Sequence, residues 1–144
     1  MSINIFLDSA NPNTWDNFFP SGVCYGITTN PTLLKKENQP CNLVNLKRLS
    51  KIAENVGCRE IHIQSWGNNE QELTLRGEEI SQLGTTSMKV FVKVPITKEG
   101  IKAAKNLISQ QIKITFTSCY DSKQSIIAAA VGANYLAPYL GRMK

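Results

Sequence analysis

The amino-acid sequence predicts an α/β fold, in which helices cover a parallel sheet, and three observations support this prediction. Short runs rich in β-branched residues alternate with helical patterns along the whole chain. The helical stretches have recognisable start and stop residues. No linker or shift in composition divides the 144 residues, so we expect a single domain over residues 1–144. Six consecutive β/α units are typical of a parallel sheet.

Six short apolar runs predict the strands. Each run contains β-branched or aromatic residues and is followed by turn residues or by a helix-start signal. The predicted strands are residues 3–7, 23–27, 60–64, 88–94, 112–116 and 134–137.

The first two helices are predicted from their capping residues. Asn11 followed by Pro12 provides a cap and a proline at the first helical position. Asn42 precedes apolar residues at helical spacing over 43–56, and Gly57 ends that stretch.

Three more helices are predicted in the second half of the chain. One extends over residues 70–83 and ends at Gly84, and the next begins after Thr97. Asp121 and Gln124 resemble a capping box at the start of the last predicted helix.

Two architectures fit this order of elements, an open doubly wound sheet and a (β/α)₈ barrel. Six strands in 144 residues correspond to roughly 25 residues per unit, so that eight units need about 200 residues. As a barrel, the chain is two units short.

Composition and charge exclude several classes of protein. Lys+Arg number 16 and Asp+Glu 11, a net charge of +5, but the basic residues are scattered and no basic patch is interleaved with aromatic residues. We therefore expect no nucleic-acid partner. The apolar runs are too short to cross a membrane, and the N-terminus has no basic stretch typical of a secretory signal. A cytoplasmic protein is the expectation.

The cysteines and the histidine predict no metal site and no nucleophile paired with histidine. The four cysteines form no CxxC pair and are expected to be thiols, because no export signal accompanies them. The one histidine, His62, lies within a predicted strand and is expected in the core or at an interface. Phosphate-binding glycine motifs of the GxGxxG and GxxxxGK[ST] types are missing from the sequence.

Lys93 is the most informative residue of the segment 88–97. Alternation along a strand puts Lys89, Phe91 and Lys93 on one face. Burying a lysine near the carboxyl end of a parallel strand is costly, and burial favours the neutral amine, which can attack a carbonyl and form a Schiff base. From the residues alone, this role and a lysine that extends into solvent are equally open.

Polar side chains stand at the carboxyl end of every predicted strand, where α/β folds place their sites. A single residue of this kind is ordinary in a loop, whereas six in succession indicate a site. They are Asp8, the turn 26–31, Gln64, Lys93, Thr117 and Tyr139.

Four motifs in this order and spacing resemble the small transaldolase and fructose-6-phosphate aldolase family, whose members form Schiff bases. They are FLDSA at 6–10, GITTNPTL at 26–33, VKVPIT at 92–97 with Glu99-Gly100, and ANYLAPYLGR at 133–142. The resemblance covers essentially the whole chain. It implies a (β/α)₈ TIM-type barrel, of which about six β/α units are present, so we expect a truncated chain that lacks the C-terminal units.

The resemblance also implies roles for single residues. Lys93 is the expected Schiff-base lysine, which attacks the ketone of a sugar phosphate, and Asp8 is expected to transfer protons. Thr28 and Asn30 are expected to bind substrate hydroxyls, and Arg142 the phosphate. No metal or organic cofactor is expected, because the imine itself withdraws electrons from the breaking bond.

A threonine of the fifth strand is expected to hold the catalytic water. We assign it as Thr117, although Thr115 shares its strand face. The sequence departs from transaldolases proper at three positions, with Gln64 where they usually have Glu, and with Ala137 and Tyr139 in Ala-Pro-Tyr where they tend to have Ser-Pro-Phe. Gln64 and Tyr139 favour a fructose-6-phosphate aldolase-like site that releases or transfers a dihydroxyacetone unit.

Two alternatives stay open. One is a true transaldolase of the pentose phosphate pathway, acting on sedoheptulose 7-phosphate and glyceraldehyde 3-phosphate. The other is a non-catalytic truncated barrel that binds a sugar phosphate or a partner. For a full-length form, the resemblance implies a homo-oligomer.

Overall fold

The computed structural model describes residues 3–142, in which helices follow strands in regular alternation. The strands are β1 (Ile5–Asp8), β2 (Cys24–Thr29), β3 (Glu60–Gln64), β4 (Lys89–Pro95), β5 (Ile114–Cys119) and β6 (Tyr135–Pro138). The helices are α1 (Pro12–Phe18), α2 (Pro31–Lys36), α3 (Leu43–Asn55), α4 (Glu70–Ser81), α5 (Lys98–Ser109) and α6 (Gln124–Val131). Two 3₁₀ segments, Phe19–Ser21 and Leu140–Arg142, complete the pattern.

The chain divides into two compact units. The first extends up to Ile63 and includes Gln82–Val90, and the second consists of Gln64–Ser81 and the chain from Phe91 onward.

In the first unit, β1, β2 and β3 are parallel neighbours in this order. Asp8 pairs with Thr28 across β1 and β2, and Gly26 pairs with Glu60 across β2 and β3. Only a glycine fits at position 26, since a Cβ there would collide with the Glu60 carbonyl oxygen and the Phe6 ring. The core of this unit is apolar, and its fully buried side chains include Trp15, Ile27, Leu34, Leu46, Leu49 and Ile61.

In the second unit, β4, β5 and β6 are parallel neighbours. Val94 pairs with Phe116 across β4 and β5, and Phe116 pairs with Leu136 across β5 and β6. Helix α4 packs tightly against α5, because a Cβ on Gly77 of α4 would lie 2.6 Å from Leu107 Cδ1 of α5.

Within each unit, a hydrogen bond joins the parts of the chain at the ends of β3 and β4 that belong to that unit. In the first unit, Lys89 N donates to Arg59 O at 2.9 Å. In the second, Ser65 N donates to Lys93 O, also at 2.9 Å.

All six predicted strands are confirmed, and the third has the predicted bounds. The other five are displaced toward the C-terminus by one to three residues. The reason is that ladder hydrogen bonds continue past the last apolar residue of each run. Ser9 N donates to Thr28 O, for example, and Ile96 N donates to Thr117 O. The polar residues predicted to follow the strands therefore largely belong to them.

Three predicted helix caps are confirmed. The side chains of Asn11, Asn42 and Thr97 each accept a hydrogen bond from a backbone N–H of the first turn. Gly57 has φ 92°, which is the left-handed conformation expected after a helix end.

Three helix predictions need correction. The helix predicted over 70–83 ends at Ser81. Gln124 Oε1 does accept from Asp121 N, but Asp121 Oδ1 accepts from Lys123 N, so the last helix begins only at Gln124. The sequence analysis missed α2, which begins at Pro31 directly after the second strand.

Candidate active site

Strand β4 buries Lys93 within the second unit. Its neighbour Val92 faces the helices, since Val92 Cγ1 lies 3.3 Å from the position of a Cβ on Gly77 in α4. Alternation therefore directs Lys93 to the opposite face, together with Phe91. The Lys93 side chain is only 4% exposed. The alternative of a lysine that extends into solvent is therefore not what the structure shows.

The neighbouring strands place polar residues beside Lys93. The hydrogen bond from Ser65 N to Lys93 O puts Gln64 of β3 opposite Lys93 in the ladder. On the other side, Thr115 of β5 is the register partner of Lys93. Gln64 is half-buried and Thr115 is 2% exposed. One row across three strands thus consists of an amide, an amine and a hydroxyl.

Thr117 lies one pleat further along the same face of β5. Its register partner is Pro95, and its side chain is 1% exposed. Both threonines are therefore buried on the face that carries Lys93. They differ in their distance along the strand from the lysine, with Thr115 at the same level and Thr117 beyond it.

Tyr139 follows β6 directly, and Arg142 ends the 3₁₀ segment that comes next. Tyr139 N donates to Cys119 O at 3.0 Å, and this bond fixes the tyrosine at the carboxyl end of β5. Its ring stacks on Tyr120, with 5.3 Å between the ring centroids. The Arg142 guanidinium carbon lies 5.8 Å from the Tyr139 ring centroid, and Arg142 N donates to Tyr139 O. Both side chains are exposed, which leaves them accessible to a ligand.

In the first unit, the structure brings together Asp8 and Thr28. They are register partners at the carboxyl end of β1, and Thr28 Oγ1 donates to Asp8 Oδ1 at 2.5 Å. Asn30 follows β2, where its Oδ1 caps α2 by accepting from Leu33 N at 2.9 Å. The cap fixes the Asn30 side chain and leaves its Nδ2 group as the donor available to a ligand.

One residue on the Lys93 face was not singled out from the sequence. Tyr135 of β6 is the register partner of Thr115, and its ring meets Phe91 edge-on with 5.0 Å between centroids. The sequence did contain a signal for Tyr135, because strand alternation places it on the same face as Tyr139.

His62 is a core residue, as predicted. Its side chain is 3% exposed, its ring contacts Phe6 edge-on, and its Nε2 lies 3.8 Å from Glu60 Oε2. Nearby, Cys58 Sγ donates to Glu60 O, and burial raises the pKa of the Cys58 thiol to about 12. Neither residue belongs to the carboxyl ends of the strands.

Within residues 3–142, the structure forms no group of three or more His, Cys, Asp and Glu side chains able to hold a metal ion. None of the helices in this range combines the length and the apolar character needed to cross a membrane.

Comparisons with known proteins connect this geometry to one family. The family profile described as transaldolase/fructose-6-phosphate aldolase matches residues 5–144. Proteins named probable transaldolase from Dictyoglomus turgidum and from Geobacillus sp. are each 33% identical over 141 residues. One from Methanococcus maripaludis strain S2 is 34% identical over 142 residues. Each match covers 98% of this chain and 62% of the relative, so the chain spans about three-fifths of the length of these relatives.

Proposed function

Because this chain belongs to the transaldolase/fructose-6-phosphate aldolase family, we propose that it serves a Schiff-base aldol reaction on ketose phosphates, with Lys93 as the nucleophile. The family fold is the (β/α)₈ barrel, and residues 3–142 contain six of its strands. The observation that carries the proposal is the burial of Lys93, 4% exposed, beside Gln64 and Thr115.

Burial supports the nucleophilic role on physical grounds. An ammonium group held away from water loses hydration, so the neutral amine is favoured, and only the neutral amine attacks a carbonyl. In the proposed first step, Lys93 Nζ bonds to the ketone carbon of the substrate. The carbonyl oxygen leaves as water, and with one proton taken up from the solvent the product is a protonated imine.

The imine then allows a carbon–carbon bond to break. A base removes the proton of the C4 hydroxyl, the C3–C4 bond breaks, and an aldehyde departs. The bonding electron pair moves into the imine, which becomes an enamine. We assign the proton transfer to Asp8, whose hydrogen bond from Thr28 would hold one carboxylate oxygen and leave the other for the substrate.

Two fates of the enamine separate the two versions of this function. In the aldolase version, protonation at C3 and attack by water release dihydroxyacetone and return Lys93. In the transaldolase version, the enamine attacks an acceptor aldehyde. We favour the aldolase version, because Gln64 and Tyr139 offer an amide and a phenol to orient the water, where a Glu would act as a base. Thr117 completes the proposed water site, and Arg142 the phosphate site.

The names of the relatives support the second candidate, a transaldolase. The three relatives compared above are named probable transaldolase, at identities of 33% to 34%. At this level of identity, Gln64 and Tyr139 are free to differ between branches of the family. The acceptor therefore has to be tested directly.

Borohydride trapping tests the proposal. The protein is incubated with fructose 6-phosphate and sodium borohydride, and the adduct is located by peptide mass mapping. We expect one adduct, on Lys93, which is lost in Lys93→Met. The matched control is Lys89→Met, an exposed lysine in the same strand, which should keep the adduct. A folded protein without an adduct would favour a non-catalytic binding role, and an adduct on another lysine would overturn the assignment of Lys93.

A further inference from the structure

Strand β5 contains an extra residue near its carboxyl end. From the pair Phe116–Leu136 to the pair Cys119–Pro138, β5 advances by three residues while β6 advances by two. On the other side of β5, the register with β4 is regular as far as Thr117. The irregularity is therefore a β-bulge that begins directly after Thr117.

Ser118 is the residue at which the backbone of this bulge departs from a strand. Its φ is 58°, in the left-handed region that a residue with a side chain adopts only at an energetic cost. Among residues 3–142, Asn38 and Gln111 are the other non-glycine residues with positive φ, and both follow the end of a helix, where this conformation is ordinary. Ser118 differs from them because it lies inside a strand, next to Thr117.

The bulge changes which side chain follows Thr117 on the face of the sheet that carries Lys93. In a regular strand, Cys119 would share that face and Tyr120 would point to the other one. One extra residue reverses the alternation beyond the bulge. Accordingly, the Tyr120 ring stacks on the ring of Tyr139, with 5.3 Å between the ring centroids and 19° between the ring planes.

Hydrogen bonds fix the backbone on both sides of this stack. Tyr120 N and Asp121 N donate to Gln124 Oε1 at 2.8 and 3.0 Å. Tyr139 N donates to Cys119 O at 3.0 Å. The side chains are less restrained than the backbone, since Tyr120 is 41% and Tyr139 37% exposed. Contact between the two rings is therefore the means by which the fold can restrict the rotamer of Tyr139.

We propose that Tyr120 is a positioning residue for Tyr139 and that the left-handed backbone at Ser118 brings it there. This inference rests on the proposed function, in which the Tyr139 phenol orients the water that releases the product. The ring of Tyr120, rather than its hydroxyl, holds Tyr139 in one rotamer and so keeps the phenol oxygen at the water.

Nuclear magnetic resonance of the labelled protein tests the positioning without using the reaction. We expect nuclear Overhauser contacts between the ring protons of Tyr120 and Tyr139, and three-bond couplings that report one χ1 rotamer for Tyr139. In Tyr120→Leu, the couplings of Tyr139 should become averaged over several rotamers. If Tyr139 keeps a single rotamer in Tyr120→Leu, or if the rings show no contact in the parent protein, the proposal is wrong.

Steady-state kinetics with fructose 6-phosphate test the consequence for the reaction. Tyr120→Leu should lower kcat about tenfold, because a misplaced group loses much of its effect, with KM and the borohydride adduct on Lys93 changed less than twofold. Tyr120→Phe keeps the ring and should retain kcat within twofold. Ile126→Ala, which removes a 70% exposed apolar side chain from α6, is the control and should also stay within twofold. Equal losses in Tyr120→Phe and Tyr120→Leu would assign the effect to the hydroxyl and contradict the proposal.

The Tyr139→Phe background shows whether Tyr120 acts through the phenol. There, Tyr120→Leu should lower kcat by less than a further twofold, since the group that it positions is already missing. A further tenfold loss would show that Tyr120 acts independently and would overturn the proposal. A parent protein without turnover and without an adduct would instead contradict the proposed function, and the rotamer of Tyr139 would still decide the positioning.

Two substitutions at Ser118 test the role of the bulge. Glycine adopts a positive φ readily, so Ser118→Gly should keep the contacts between the rings and leave Tm unchanged or raise it. A β-branched residue is disfavoured in this conformation, so Ser118→Val should lose the contacts, lower Tm, or both. A Ser118→Val protein with the contacts and the Tm of its parent would show that the left-handed backbone is not what brings Tyr120 to Tyr139.

Discussion

Lys93 and Thr115 occupy matching positions in neighbouring strands, and both side chains are almost fully buried, at 4% and 2% exposure. Thr117 stands one pleat beyond, at the level of Pro95. The two threonines therefore share a face but not a level. In the proposed reaction, a threonine beside the lysine would act on the amine itself, whereas one further along the strand would act on a water or substrate atom beyond it.

The first prediction separates these two threonines. Thr117→Val should lower turnover about 100-fold while the borohydride adduct on Lys93 still forms, because it would release the water that takes part in proton transfer, and positioned proton transfer contributes on the order of 10²–10⁴-fold. Thr115→Val should lower turnover less than tenfold. Steady-state rates and trapping yields of both variants check this. The opposite ranking would transfer the water-holding role to Thr115. Both substitutions keep the side-chain shape, so unfolding curves should confirm that the variants remain folded.

The second prediction concerns Gln64, which lies opposite Lys93 in the ladder. Gln64→Glu should shift the outcome from release of dihydroxyacetone toward transfer to an acceptor aldehyde, because a carboxylate can take a proton that an amide cannot. The measurement is the ratio of free dihydroxyacetone to transfer product at a fixed acceptor concentration. An unchanged ratio would exclude Gln64 as the residue that selects the acceptor. Gln82→Glu, an exposed glutamine outside the proposed reaction site, is the control.

The positions of the strands were predictable because β-branched runs mark them directly. The residues at which the strands end were not predictable. The polar residues at the carboxyl ends remain in the ladder through hydrogen bonds to the next strand, and no local signal reports such bonds. The short helix α2 was missed because six residues are too few to show a helical period. Asn30-Pro31 at its start is nonetheless the same signal as Asn11-Pro12, which was recognised.

Strand alternation assigned Lys93 to one face of β4 but left its burial open, and it did not decide between Thr115 and Thr117. Alternation assigns both threonines to one face, and only the register between β4 and β5 tells them apart. Register depends on contacts between residues far apart in the sequence. The resemblance to the family implied a threonine of the fifth strand, which we assigned as Thr117, and the structure adds that Thr115 is the residue level with the lysine.

The third prediction follows from the buried thiol of Cys58. Burial raises its pKa to about 12 from the usual 9.0, so at pH 8 only about one molecule in ten thousand carries the reactive thiolate. Iodoacetamide at pH 8 should therefore modify the exposed Cys41 and leave Cys58 intact until the protein unfolds. Peptide mass mapping after labelling reports both sites. Rapid modification of Cys58 in the folded protein would contradict the assignment.

The same thiol makes stability depend on alkaline pH. The folded state holds the proton more tightly than the unfolded chain, so the contribution of Cys58 is complete below pH 9 and is lost as pH rises toward 12. The loss is on the order of 4 kcal/mol over that range. Urea unfolding of Cys58→Ala should show a weaker decline above pH 9 than the parent protein. Tyr25, whose pKa burial and Glu60 also raise, accounts for part of the remaining slope above pH 10.

The fourth prediction concerns Gly100, in the first turn of α5. A Cβ at this position would collide with the carbonyl oxygen of Pro95 and lie 3.2 Å from Thr97 Oγ1. Pro95 ends β4, and Thr97 caps α5, so the glycine permits a close approach between the end of the strand and the start of the helix. Gly100→Ala must therefore push the end of β4 and the start of α5 apart. We expect it to lower the free energy of unfolding by about 1–3 kcal/mol, as overpacking does.

Helix propensity alone predicts the opposite, since alanine favours a helix over glycine by about 1 kcal/mol. A Gly100→Ala protein as stable as its parent in urea would therefore refute the close-approach argument. Lys105→Ala, at an exposed position of the same helix, controls for propensity and should change stability by less than about 0.5 kcal/mol. Because Lys93 lies two residues before Pro95, Gly100→Ala should also slow adduct formation at a temperature where the variant is fully folded. That slowing would show that the glycine holds the end of β4 in the geometry that the lysine needs.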